Sequence, residues 1–186
     1  MKQLPSESDM RPPEIIETER LLLRPPVVAD AAAVFNAYAR DPEVTRYLIW
    51  KPHRHIQETE HFLAGCVTGW ADNTRFPWVI TLKGSGELIG MVEIRTGGFK
   101  ADVGYVLSRQ YWGKGVMTES LRPIVEWALG QEEIYRVWAL CDADNQASAR
   151  VLEKVGMQRE GILRRNILHP NVSDEPRDCY CYAVTK

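Results

Sequence analysis

Residues 108–120 read Ser-Arg-Gln-Tyr-Trp-Gly-Lys-Gly-Val-Met-Thr-Glu-Ser, placed between a β-rich run and a helical one. The first amides of a helix have no intrahelical partners, and the helix dipole adds about half a positive charge at that end. Glycines immediately ahead, Gly113 and Gly115, let the backbone approach a ligand closely. Together these make a cradle for an anion such as a pyrophosphate. Lys114 and Arg109 can add charge, and Thr118 can donate a hydroxyl. A Walker loop is excluded, because Gly-x-x-x-x-Gly-Lys-Ser/Thr does not occur here. A dinucleotide fingerprint is excluded too: its sixth position holds Thr118, and Ser108 to Trp112 separate the first glycine from the strand.

Other side chains could work beside such a cradle. Asn145 and Ser148 stand one helical turn apart and share a face. Asp102 and Glu93 are carboxylates on neighbouring strands, each able to accept a proton or simply to be solvated. The cysteines, Cys66, Cys141, Cys179 and Cys181, form no C-x-x-C pair and read as reduced thiols. His53 and His55 lack a supporting acidic or cysteine cluster, so no metal site is expected.

The elements that must carry these groups follow from periodicity and punctuation. Thr18 to Arg24 reads as a strand stopped by Pro25-Pro26. Asp30 stands as an N-cap ahead of Ala31, Val34 and Tyr38, which share a helical face. Asp41-Pro42-Glu43 opens a short helix, and Ile56 to Trp70 a longer one that buries Phe62 and Cys66. Phe76 to Leu82, Leu88 to Ile94 and Ala101 to Leu107 form an antiparallel meander, with a glycine hairpin at 83–87. Val116 to Leu129 is a helix with an expected kink at Pro123, and Tyr135 to Cys141 returns as a strand. That strand–helix–strand unit makes a right-handed crossover with parallel strands. A helix at Asn145 to Val155 ends at Gly156, and Met157 to Leu163 and Asp178 to Val184 are the last strands. The fold class is α+β, with a central mixed sheet of about seven strands and about four helices.

Length and composition set the outer limits. With 186 residues, 45% hydrophobic and 26% charged, the chain is long enough for one packed domain over 14–186, behind an expected mobile tail at 1–13. A net charge of -2 signals no nucleic-acid partner. No apolar run approaches the roughly 20 residues that span a bilayer, and a cytoplasmic protein, monomer or homodimer, is expected.

The segment Gln110-x-x-Gly113-x-Gly115 resembles the (Gln/Arg)-x-x-Gly-x-(Gly/Ala) signature of the GNAT acetyltransferases. The resemblance continues, in family order, through Glu19-Arg-Leu-Leu-Leu-Arg24, Leu88-Ile-Gly90, Val103-Gly-Tyr105, Asn145-Gln-Ala-Ser148 and Lys154-Val-Gly156. It covers Ile15 to the C-terminus and is nearest the branch of ribosomal-protein alanine and serine N-acetyltransferases. The resemblance implies a GNAT fold and transfer of acetyl from acetyl-CoA, the co-substrate, to a primary amine on a protein N-terminus or a small molecule. By the same resemblance the cofactor contacts are Gln110, Trp112, Gly113, Lys114, Gly115, Val116, Met117 and Thr118 on the loop. The pantetheine arm would run along Tyr105, Val106 and Leu107 and reach Asn145. Ser148 would stand near the sulfur as proton donor, with Asp102 the first candidate for the base and Glu93 the second. Many GNAT branches carry a tyrosine seven residues after that asparagine, where this chain has Leu152. A glutamate assigned as base in the ribosomal branch falls here near Ile167. Glu160 matches a recurrent family glutamate but reads first as a structural ion pair. Tyr47, Trp50 and Trp70 fall in the acceptor wall, with Trp70 expected to pack. Arg164 and Arg165 read as a solvated basic pair. Two other functions remain open on these residues, a non-catalytic acyl-CoA-binding module and, less favoured, a nucleotide-binding protein.

Overall fold

The structure is a computed structural model that describes residues 10–186. Of the expected tail, residues 1–9 lie outside the described residues. Pro12 is buried, and Trp78 Nε1 donates to the carbonyls of Pro13 and Glu14, each at 3.1 Å.

Among the described residues the chain forms one eight-stranded sheet with five helices packed on it. The strands are β1 (Ile16–Glu17), β2 (Leu21–Arg24), β3 (Phe76–Leu82), β4 (Leu88–Gly97), β5 (Lys100–Leu107), β6 (Arg136–Asp142), β7 (Gln158–Ile167) and β8 (Arg177–Thr185). The helices are α1 (Ala31–Val34), α2 (Pro42–Thr45), α3 (Ile56–Ala71), α4 (Val116–Gly130) and α5 (Gln146–Lys154). Sheet order is β1-β2-β3-β4-β5-β6-β8-β7, antiparallel throughout except where β5 meets β6. The meander, the crossover and both last strands therefore stand as the sequence implies. The count differs by β1, a two-residue strand too short to leave a periodicity, and by one helix.

Each face of the sheet has its own core. Leu121, Ile124, Val125 and Ala128 turn the buried stripe of α4 onto one face, with Ala149 and Leu152 of α5. On the other, α1, the π-helical turn Phe35–Ala39 that continues it, and α3 bury Val34, Tyr38, Leu63 and Cys66 against Val79 and Met91. Asp41 caps α2 as expected, accepting from the Glu43 and Val44 amides. Asp30 does not cap forward. Its carboxylate turns back to the Val27 amide and takes a two-pronged hydrogen bond from Arg24, because a guanidinium fork outbids a single first-turn amide. Trp70 packs edge-on against Phe76 and Trp78 and is structural.

Candidate active site

Backbone conformation makes the cradle. Gly113 and Gly115 sit at φ of 72° and 74°, a region closed to most side chains. Gly115 enters α4 without a side-chain cap, and the helical ladder begins only where the Glu119 amide donates to the Gly115 carbonyl. The amides of Val116, Met117 and Thr118 are left facing outward at the positive end of the helix. Trp112 closes the loop from behind, its indole donating to the Leu107 carbonyl at 2.8 Å. Gln110 and Tyr111 are both held by Glu87, at 3.0 and 2.8 Å. Glu119 would repel an anion at the helix start, but it is occupied. It accepts from Thr18 Oγ1 and from the backbone amide and guanidinium of Arg20. Burial opposes its charge, yet these bonds hold its carboxyl below the usual range. A cleft of about 440 Å³ runs from Gly115 and Thr118 along α4 to Arg122 and Lys154.

Strand β5 leads from the sheet centre to this loop. It pairs with β4 along its whole length but with β6 only from Lys100 to Asp102. Beyond Asp102 the two parallel strands part, and β5 has an open edge. Backbone groups alternate in direction along a strand. The Ser108 amide donates to the Ile89 carbonyl on the β4 side, whereas the Leu107 carbonyl turns outward to Trp112. Val103, Tyr105 and Leu107 share the outward phase, while Val106 turns its backbone toward β4. Across the gap stands the start of α5, where Asn145 Oδ1 caps the helix by accepting from the Ser148 amide at 3.1 Å. Tyr105 bridges the gap: its hydroxyl lies 2.7 Å from Ser148 Oγ and 3.2 Å from the Ser148 carbonyl. Burial raises the Tyr105 phenol well above its ordinary pKa.

The two carboxylate candidates lie on the other face. Asp102 pairs with Arg95 through Nε at 2.8 Å and through Nη2, and Glu93 is held between Arg75 and Arg95. The structure thus gathers Asp102 and Glu93 into one chain of alternating charges. It does not bring either to Ser148, because residues 102 and 105 point to opposite faces of β5. Between them Gly104 leaves open space, with nothing within 4 Å of where a Cβ would stand.

The described residues bear out a family assignment. The acetyltransferase (GNAT) domain family matches residues 20–158. The chain belongs to the GNAT acetyltransferase family. It is 29% identical over 175 residues to the uncharacterized N-acetyltransferase YoaA of Bacillus subtilis, covering 92% of this chain and 97% of that one. Its fold matches a GNAT-family acetyltransferase of Bacillus anthracis at a TM-score of 0.80 and 28% identity, over 92% of this chain and 98% of that chain. The structure of RimL, a ribosomal L7/L12 α-N-protein acetyltransferase in complex with coenzyme A, superposes at a TM-score of 0.80 over 92% of this chain and 98% of that chain. At 22% identity that likeness is one of fold. The chain is accordingly an acetyl-CoA-dependent N-acetyltransferase.

In this GNAT enzyme the segment from Tyr47 to Trp50, the β7–β8 connection and the start of α5 are held together by residues that carry no motif. Asn171, between β7 and β8, donates from one amide nitrogen to the Thr45 and Trp50 carbonyls, both at 2.7 Å. His169 meets Tyr47 edge-on and points Nε2 toward Asp142 at 3.7 Å. Asp142 is fully buried and accepts from Arg177 and from the Asp144 amide, while its own carbonyl accepts from the Asn145 amide. Asp142, His169 and Asn171 thereby tie the segment from Tyr47 to Trp50, the β7–β8 connection and the start of α5 together. Burial works against the charge of Asp142, but Arg177 and the Asp144 amide hold its carboxyl below the usual range. Trp50 lies over His53, whose Nδ1 meets Thr59 Oγ1 at 2.7 Å, so this histidine is structural. Glu160 pairs with Arg136, as expected. Burial pushes the thiols of Cys66 and Cys179 up to about 11 and that of Cys141 to about 12, so they stay protonated near neutrality. Among the described residues, no group of three or more His, Cys, Asp or Glu side chains could hold a metal ion, and no helix is long and apolar enough to cross a membrane.

Proposed function

We propose that this enzyme transfers the acetyl group of acetyl-CoA directly to a primary amine, with acceptor and donor meeting at the gap between β5 and β6. The observation that carries the reading is the open edge of β5, which ends at an uncapped helix start entered through two left-handed glycines. The cradle fits the group: the Val116, Met117 and Thr118 amides would hold the pyrophosphate, with Gln110, Trp112 and Lys114 framing the loop. Arg122 and Lys154 supply positive charge for a further phosphate at the far end of the cleft. The outward backbone groups of Tyr105 and the outward amide of Leu107 are free to pair with the pantetheine arm, the Leu107 carbonyl being taken by Trp112, while Val106 packs its side chain on the face covered by α1 and α3. Asn145 keeps its amide nitrogen for the same arm.

Acetyl-CoA supplies the acetyl group as a thioester; the chain supplies position and charge. An outward amide on the β5 edge, from Tyr105 or Leu107, donates to the thioester oxygen as it gains negative charge. Ser148 Oγ donates to the sulfur as the C–S bond breaks. A thiol of pKa about 8.5 leaves readily, so this help is moderate. The amine must be unprotonated to attack, and its proton leaves toward the face that carries Asp102 and Glu93. Both carboxylates already bind arginines, so they take that proton through water. Acid and base then act from opposite faces, with the acceptor entering beside Gly104. A protein N-terminus and a small amine are both compatible with an entrance of this kind.

Release of CoA thiol, followed across a panel of N-terminal peptides and small amines, tests the proposal. Amine-dependent release is expected. Saturable CoA binding with no release across the panel would instead make the chain an acyl-CoA sensor. Nucleotide binding without CoA binding would remove both readings. Within the proposal, Ser148→Ala is expected to lower kcat about tenfold, less than the roughly 10²–10⁴-fold of full acid–base assistance because the thiolate leaves readily, with KM for acetyl-CoA nearly unchanged. An unaltered kcat would remove Ser148 from the mechanism.

A further inference from the structure

We propose that Tyr105 is a positioning residue for Ser148, its hydroxyl donating to Ser148 Oγ and so turning the serine proton into the gap toward the departing sulfur. The inference rests on the assignment of Ser148 as the donor to sulfur. It goes beyond that assignment by naming what orients the serine.

A serine hydroxyl has one proton and rotates freely, so its usefulness depends on what its oxygen accepts. Among the described residues the only side-chain partner of Ser148 Oγ is the Tyr105 hydroxyl, at 2.7 Å. The phenol also has one proton, and two acceptors within reach: Ser148 Oγ and the Ser148 carbonyl at 3.2 Å. Two arrangements follow. If the phenol donates to the carbonyl, the serine donates back to the phenol oxygen and nothing remains for sulfur. If it donates to Oγ, the serine proton is free to point into the gap.

Negative charge on sulfur selects the second arrangement. A donor aimed at an anion is about twice as strong as a neutral one, and a chain of two donors in line polarises further. Tyr105 suits this role because it is a phenol that keeps its proton: its buried ring disfavours tyrosinate, so it remains a donor throughout. The neighbouring phenol is committed elsewhere, with Tyr182 donating to Glu153 at 3.1 Å. The balance is simple. As the C–S bond breaks, its electron pair stays on sulfur. The serine proton is shared with sulfur and the phenol proton with Oγ, neither residue ionises, and sulfur takes a proton from water on release.

Tyr105→Phe keeps the ring and removes only the hydroxyl. The expected result is a kcat lower by about three- to tenfold, the range of one net hydrogen bond, with KM for acetyl-CoA within about twofold. The variant should cost nothing further in a Ser148→Ala background. A second readout needs no turnover. CoA affinity, measured by calorimetry against desulfo-CoA, should rise as pH passes the thiol pKa of about 8.5 in the wild type. Most of that rise should vanish in Tyr105→Phe and all of it in Ser148→Ala, with the double variant matching Ser148→Ala. A Tyr105→Phe enzyme with wild-type kcat and wild-type thiolate preference, beside an impaired Ser148→Ala, overturns the positioning role alone. Equal losses from Tyr105→Phe in both backgrounds reduce Tyr105 to packing and overturn it as well. A fully active Ser148→Ala removes the serine assignment and this inference together.

Discussion

Changing Gly115 or Gly113 to valine is expected to weaken CoA binding at least about tenfold while leaving most of the fold intact. Each glycine holds a left-handed conformation that costs an ordinary residue about 1–2 kcal/mol, and a β-branched residue more. The chain can relieve that strain only by moving the loop, which misdirects the amides of Val116, Met117 and Thr118. A tenfold loss is about 1.4 kcal/mol, so a displacement that spoils even one charge-assisted hydrogen bond suffices. The two positions differ usefully. A Cβ at Gly113 meets nothing within 4 Å, whereas one at Gly115 meets Arg20 Nη2 at 3.7 Å. Loss of affinity at Gly113 would therefore report backbone conformation and ligand approach rather than internal clash. Calorimetric titration with CoA, beside a thermal melt, checks this. Unchanged affinity in Gly113→Val would remove the cradle from cofactor binding.

The second large effect lies away from any motif. Arg177→Ala is expected to destabilise the protein by about 3–5 kcal/mol, because it leaves the Asp142 carboxylate buried without its partner. At about 2–4 °C per kcal/mol for a chain of this size, the melting temperature should fall by roughly 6–20 °C. Asp142→Ala should cost less. The stranded guanidinium keeps Asp144 at 2.6 Å, and its side chain is 24% exposed where that of Asp142 is 0%. Equal losses, or a loss under about 1 kcal/mol for Arg177→Ala, would show that the cluster is not the anchor described.

The same cluster sets the response to acid. Burial lowers the pKa of His169 despite the nearby Asp142 carboxylate, so the folded protein holds this imidazole neutral. The unfolded chain then binds the proton more readily. Stability is lost as pH falls from the unfolded value of about 6.5 toward the lower folded value. Asp142, also lowered, keeps its contribution until pH falls below about 4 and loses it as pH drops through the folded value. Melting temperatures between about pH 7.5 and 5 should therefore decline, and decline less in His169→Gln. Identical slopes would assign the decline to other groups.

Much of the enzyme is legible before any coordinates. Hydrophobic stripes at period 3.6 mark α3 and α4, and short β-rich runs with glycine turns mark β3, β4 and β5. Asn145 and Gly156 bracket α5, because caps are local chemistry. The loop is legible for the same reason: two glycines ahead of an amphipathic helix describe their own backbone. Asp30 misled, because its partner Arg24 is offered by the fold rather than by the next turn. The Asp142–His169–Asn171–Arg177 cluster left no signal at all. Its members lie up to 35 residues apart on β6, β8 and the β7–β8 connection, and Asn171 reaches 126 residues back to Thr45. Tyr105 is legible as backbone along the edge proposed for the cofactor, but its hydroxyl acquires meaning only when α5 arrives beside it.

The sequence by itself determined the family and the shape of the loop proposed to hold the cofactor, since a glycine loop ahead of a helix is built from consecutive residues whose conformation is local. Tertiary structure decided which backbone groups on β5 are free, what turns the Ser148 hydroxyl, and that Asp102 and Ser148 stand on opposite faces of the sheet. Those relations depend on where β5 and β6 part and on which helix crosses the gap. Hydrogen bonds and ion pairs between residues remote in the chain exist only once packing has brought them together.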